Sequence, residues 1–115
     1  MTESTEFMLL FRFEPNASYQ PTETEMAESH QAWGQFIGKL AMEERLVSTH
    51  QLGFSGKQIF ADSSVHEGIN IAEKLTLGGN LILKASNLDQ AVELAKSCPI
   101  LAMGGTVEVR DITPM

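Results

Sequence analysis

The residues able to do chemistry in this chain are three dispersed histidines, His30, His50 and His66, one cysteine, Cys98, and a small set of charges placed by strand alternation. His30 falls three residues before Trp33 on an expected helix stripe, where an imidazole could carry protons near neutral pH. The more ordinary reading is a partly buried core histidine, because no acid occupies an orienting position beside it. Glu73-Lys74 could form a general acid or base with a cation alongside, although adjacent opposite charges before a turn are usually a solvated pair. Arg12, Lys84, Glu108 and Arg110 fall on alternate strand positions that point the same way. Such a group either closes on itself as salt bridges or holds a small anionic or phenolic compound. Trp33 and Phe36 read as core first and as an aromatic ligand wall second. Separated histidines without cysteine or paired-carboxylate spacing predict no metal, and no cofactor motif is present. Gly78-Gly79 lacks the remaining spacing of a phosphate loop and reads as a turn into a strand. Cys98 ends a helix, where the helix dipole opposes a thiolate, so it reads as inert.

The elements that must position these groups are legible in turn. Phe7, Leu9, Phe11 and Phe13 alternate with Met8, Leu10 and Arg12, predicting a central strand over residues 6–13. A loop holding Pro15, Asn16 and Pro21 follows. Thr22 and Glu25 then stand at capping-box spacing, opening a helix that runs to about Arg45 with Met26, His30, Trp33, Ile37 and Leu40 inward and Phe36 beside them. Residues 46–54 and 57–61 read as strands, and residues 62–77 mostly as loop. Asn80 to Ala85 is a strand. Asn87 and Gln90 cap a helix whose buried stripe is Leu88, Ala91, Val92 and Ala95 and which Pro99 ends. Gly104-Gly105 leads into the strand Thr106 to Arg110.

Strand, helix, strands, helix, strand is the order of an α+β, ferredoxin-like split βαβ sheet with both helices on one face, a single domain over residues 1–115. Alternation then puts Met8, Leu10, Ile82 and Ile112 on the face away from the helices, where a lone chain leaves them wet. A homodimer packed through that face, a dimeric α+β barrel, would cover them and enclose Arg12, Lys84, Glu108 and Arg110. A net charge of -7 with 8 Lys and Arg argues against nucleic acid. Apolar runs of about five residues fall well short of the roughly 20 that cross a bilayer. One cysteine forms no intrachain disulfide, and the start Met1-Thr2-Glu3-Ser4-Thr5-Glu6 has no basic leader, so a cytoplasmic protein is expected.

Gly78-Gly79 with the strand and helix after it, Cys98-Pro99, Gly104-Gly105 and Val107-Glu108-Val109-Arg110 resemble the C-terminal half of the YCII-related, or DGPF, family. The opening strand and the Trp33-Phe36-Leu40 helix extend the resemblance over most of the chain, and it implies the same dimeric barrel. The name-giving stretch, Asp-Gly-Pro-Phe followed by Glu and a Lys-Glu pair, falls on residues 67–75. Here Gly68 and Lys74 match, Glu67 replaces the aspartate, Glu73 is offset by one and Leu75 removes the final acid, so the chain reads as a divergent member. Some members resemble dechlorinating enzymes of aromatic catabolism or carry a proposed His-Asp pair, and others accompany sigma factors. The family's function is loosely defined, and the barrel with its charged residues leads to the expectation of a small-molecule-binding protein. One form is a lyase or cofactor-independent oxidoreductase, with His30 as proton carrier, Arg12 or Arg110 holding substrate charge, and Glu73 and Lys74 as candidates by family position. The other is a non-catalytic ligand-binding or regulatory interaction module.

Overall fold

A computed structural model describes residues 5–15 and 22–113. The expected turn residues Asn16 and Pro21 lie outside them. In chain order the elements are β1 (Thr5–Phe13), α1 (Glu23–Met42), β2 (Leu46–Gln51), β3 (Lys57–Ile59), β4 (Val65–Glu67), β5 (Thr76–Ala85), α2 (Leu88–Ala95), a 3-10 turn (Pro99–Met103) and β6 (Thr106–Asp111). Four strands form one antiparallel sheet in the order β2-β5-β1-β6. This is the ferredoxin-like arrangement, with a separate hairpin, β3-β4, inserted between its second and third sheet strands.

One face of the sheet is dry. Leu9, Leu81 and Leu83 are fully buried at its centre, with Phe7, Phe11 and Ala85 around them. Phe36 and Leu40 from α1, and Ala91 and Ala95 from α2, close the same core, so both helices cover one face. Each helix begins as its sequence predicts. Thr22 Oγ1 accepts from the Glu25 amide at 3.1 Å, and Asn87 Oδ1 from the Gln90 amide at 2.8 Å. Gln90 Oε1 reciprocates by accepting from the Ser86 amide at 2.6 Å.

Several expectations are corrected. The helix α1 ends at Met42 rather than Arg45, and its buried residues are Phe36 and Leu40, with Trp33 and Ile37 half-buried. Met26 and His30 are exposed, because Glu23, Glu25, Glu28 and His30 leave the first turns too little apolar surface to sink. On α2, Leu88 and Val92 are exposed, and Leu94 packs against the core in their place. The strand β2 stops at Gln51, and residues 62–77, mostly loop as expected, also hold β4 and the first residues of β5. Val65–Glu67 pairs with Lys57–Ile59 across a turn in which Asp62 Oδ1 accepts from the Ser64 amide at 2.9 Å. Strands of three residues are too short to show a period.

The strand β5 begins at Thr76, so Gly78-Gly79 lies inside it rather than forming a turn before it. The register against β1 slips there, Phe11 pairing with Gly79 and Arg12 with Leu77. A Cβ on Gly78 would fall 1.9 Å from the Phe13 ring, and one on Gly79 would fall 2.7 Å from the His50 carbonyl oxygen. The glycines are there so that neighbouring strands and Phe13 can close over a bulge.

The result is a slab. The molecule measures 48 × 43 × 20 Å, the short dimension being one sheet layer plus one helix layer. It exposes 8471 Å², about a third more than the ~6,200 Å² typical of a compact monomer of this mass.

Trp33 packs edge-on against Phe11 at 5.4 Å and Phe36 at 6.1 Å between ring centroids. Trp33→Ala is expected to remove about 3 kcal/mol of stability, read as a lower denaturation midpoint. An unchanged midpoint would mean that the ring serves a ligand rather than the core.

Candidate functional site

Since Phe7, Leu9 and Phe11 point into the core, Met8, Leu10 and Arg12 point to the opposite, open face. Residues paired across antiparallel strands share a face, and the registers therefore lay out that face in rows. Ser48, Ile82, Met8 and Arg110 form one row across the four strands. His50, Asn80, Leu10 and Glu108 form the next, and Arg12 follows beside Thr106. Lys84 pairs with Glu6 beyond the first row. Polar groups thus flank an apolar centre of Met8, Leu10 and Ile82.

On the β6 side, Arg12 Nη1 lies 2.7 Å from Glu108 Oε1, while Arg110 Nε is 3.9 Å from Glu108 Oε2. The first is a charge-assisted hydrogen bond. The second is too long for one, so Arg110 keeps donors to offer. The side chains are 38% (Arg12), 45% (Glu108) and 68% (Arg110) exposed, so the pair contributes at most about 1 kcal/mol while the face stays wet. Two guanidiniums share one carboxylate. Arg12, Lys84 and Arg110 are three of the chain's 8 Lys and Arg, whereas the open face carries only Glu6 and Glu108 as acids among the described residues. A chain of net charge -7 presents a face with a positive surplus.

The β2 side adds a feature the sequence did not disclose. His50 Nδ1 stands 3.3 Å from Asn80 Oδ1. With Nδ1 protonated the ring donates to the amide oxygen, and Nε2 is left as an acceptor. The two residues are 30 apart in sequence, and only the register brings them together.

The other expected residues lie elsewhere. His30 is exposed on α1, on the helix-covered side of the molecule, and lines a groove with Met26, Phe36, Phe54, Ile71 and Leu101. At about 1800 Å³ this groove is wide open, well beyond the roughly 300–1,000 Å³ of a formed ligand pocket. Trp33 is also on the helix side, between Phe11 and Phe36. Neither His30 nor Trp33 shares a face with Arg12, Glu108 and Arg110. Glu73 and Lys74 are the exposed central residues of a tight turn closed by Ala72 and Leu75, whose backbones exchange two 2.9 Å hydrogen bonds. Both adopt positive φ, 52° and 68°, as the first and second corners of such a turn require. Among the described residues, no group of three His, Cys, Asp or Glu is placed to hold a metal ion, and no helix is long and apolar enough to cross a membrane.

The YCII-related domain model matches residues 5–115, essentially the whole chain, so the chain belongs to the YCII-related family. A search of the curated proteins returns no match.

Burial pushes the Cys98 thiol from its ordinary 9.0 up to about 11, a backbone hydrogen bond at Ile100 offsetting part of the rise. The native state therefore holds that proton more tightly than the unfolded chain, and the stability it confers is complete below about pH 9 and lost as pH rises toward about 11. Urea midpoints across this window are expected to fall more steeply for the native sequence than for Cys98→Ala. Parallel curves would show that the thiol titrates alike in both states.

Proposed function

We propose that this member of the YCII-related family is a small-molecule-binding homodimer. Two sheets meet face to face, and the ligand is a small carboxylate or phenolate held by Arg12 and Arg110. The observation that carries the reading is the charge balance of the open face: two guanidiniums on one carboxylate, beside Met8, Leu10 and Ile82. Covering that face with a second copy moves the arginines toward low dielectric and doubles the surplus of positive charge. Buried charge is tolerated only when paired, so an anion is the natural complement. Planar carboxylates and phenolates suit the forked donors of guanidinium, and the apolar centre suits an aromatic ring.

A second reading, a lyase or cofactor-independent oxidoreductase, draws on His50. Its Nδ1 is engaged by Asn80, so its Nε2 is available to accept a proton from a ligand lying across the same face. The non-catalytic binding reading requires only the arginines.

Calorimetry of the intact chain with benzoate, 4-nitrophenol and glycolate tests the proposal. At least one is expected to bind, with Arg110→Met weakening it about tenfold, the loss of one charged contact. Arg12→Met adds an independent reading. Its cost is below about 1 kcal/mol if Glu108 stays wet and about 3 kcal/mol if the face is covered and the carboxylate is stranded. Absence of binding by all three compounds, with a small cost for Arg12→Met, would overturn the reading.

A further inference from the structure

The hairpin formed by β3 and β4 is the most anomalous surface of the molecule. It has three residue pairs, Lys57 with Glu67, Gln58 with His66 and Ile59 with Val65, and forms a sheet of its own. Its base is anchored. Phe54 packs edge-on against Phe13 at 5.8 Å, the Gly68 amide donates to the Gly56 carbonyl at 2.9 Å, and Thr76 Oγ1 donates to the Asn70 carbonyl at 2.8 Å. Beyond that base, Ile59 is 75% and Val65 59% exposed, side by side on one face. Phe60 lies on the other, stacked on His66 at 4.2 Å.

A two-stranded hairpin is marginal in water even when its exposed faces are polar. This one adds an exposed β-branched pair and leaves the outer edges of both strands unpaired, which invites association. We propose that the hairpin is an arm that clasps a second copy of this chain, packing Ile59 and Val65 against the partner protomer.

Two observations select a second copy as the occupant. The chain exposes 8471 Å², an excess over a compact monomer that surpasses the ~800 Å² each partner gives to a standard interface. Met8, Leu10 and Ile82 are already half-buried, and Ile59 and Val65 add to the apolar surface that a second copy would cover. The charge also fits. Lys57 and Glu67 pair at 3.2 Å on the face that carries Ile59 and Val65. That face is neutral and can approach a chain of net charge -7 without repulsion. The inference rests on the homodimer part of the proposed function and is independent of any anion.

Amide hydrogen exchange of the full chain, at concentrations about a hundredfold apart, with the dimer fraction read by sedimentation, tests it. Hairpin amides of residues 57–67 are expected to exchange slowly in the dimer and to speed up as dilution splits it. The double variant Ile59→Asp, Val65→Asp is expected to raise the dimer dissociation constant about 100-fold, while β1 and β5 amides stay protected, showing that the sheet still folds. Leu10→Asp separates the two surfaces. If it weakens the dimer and the hairpin variant does not, the arm is rejected and the sheet-face reading stands. If only the hairpin variant weakens it, the arm stands and the sheet-face reading fails. Hairpin amides that exchange fast at every concentration, or equally slowly in a sample shown to be monomeric, overturn the arm. The exchange data on the native sequence decide the matter even if the double variant does not fold.

Discussion

Strand alternation on β1 and β5 is the constraint from which the rest of the molecule follows. Burying Phe7, Leu9 and Phe11 together with Leu81, Leu83 and Ala85 beneath α1 and α2 gives the sheet its dry face. It also obliges Met8, Leu10, Arg12, Asn80 and Ile82 to point the other way, since successive side chains alternate. Nothing in the slab covers them among the described residues. A one-residue slip would exchange the two faces wholesale, and the fit of Phe13 over Gly78 and of Gly79 against the His50 carbonyl pins the register against such a slip. The glycines thus determine which polar groups share the open face.

That register creates both halves of the candidate site. It sets Arg12 on Glu108 and Arg110 near the same carboxylate, and at the other side it sets His50 on Asn80. Each arrangement is unremarkable in water, where ion pairs are screened and a histidine is solvated. Their meaning changes with dielectric. Under cover, a carboxylate shared by two guanidiniums becomes a receptor for a second anion, and an imidazole held through Nδ1 becomes a directed acceptor. On the proposed reading, the behaviour of these groups depends on what lies against the sheet.

The parts legible in the sequence are those governed by local rules. The alternation of Phe7 to Phe13, the capping pairs Thr22 with Glu25 and Asn87 with Gln90, and the order of elements all appear in the structure because each depends on residues within a few positions. What escaped depends on distant partners. Gly78-Gly79 looks like a turn until Phe13 and the His50 carbonyl are brought against it. The pairing of Lys57–Ile59 with Val65–Glu67 is too short to leave a period. His30 satisfies the helix spacing yet stays exposed, because the acidic first turns of α1 have little to bury. The facing of Arg12, Glu108 and Arg110 was readable by alternation alone. The His50–Asn80 contact was not, because β2 also carries an irregularity between Leu46 and Ser48 that shifts its alternation.

In the proposed homodimer the sheet face bearing Met8 and Leu10 is covered in solution. The most direct measurement is methyl NMR of the full chain with a soluble paramagnetic probe, comparing Met8 with Met42, whose side chain is 87% exposed on α1. If two copies meet through this face, the Met42 methyl broadens while the Met8 methyl is protected. Equal broadening of the two would mean that the face is bare and that the sheets do not pack together.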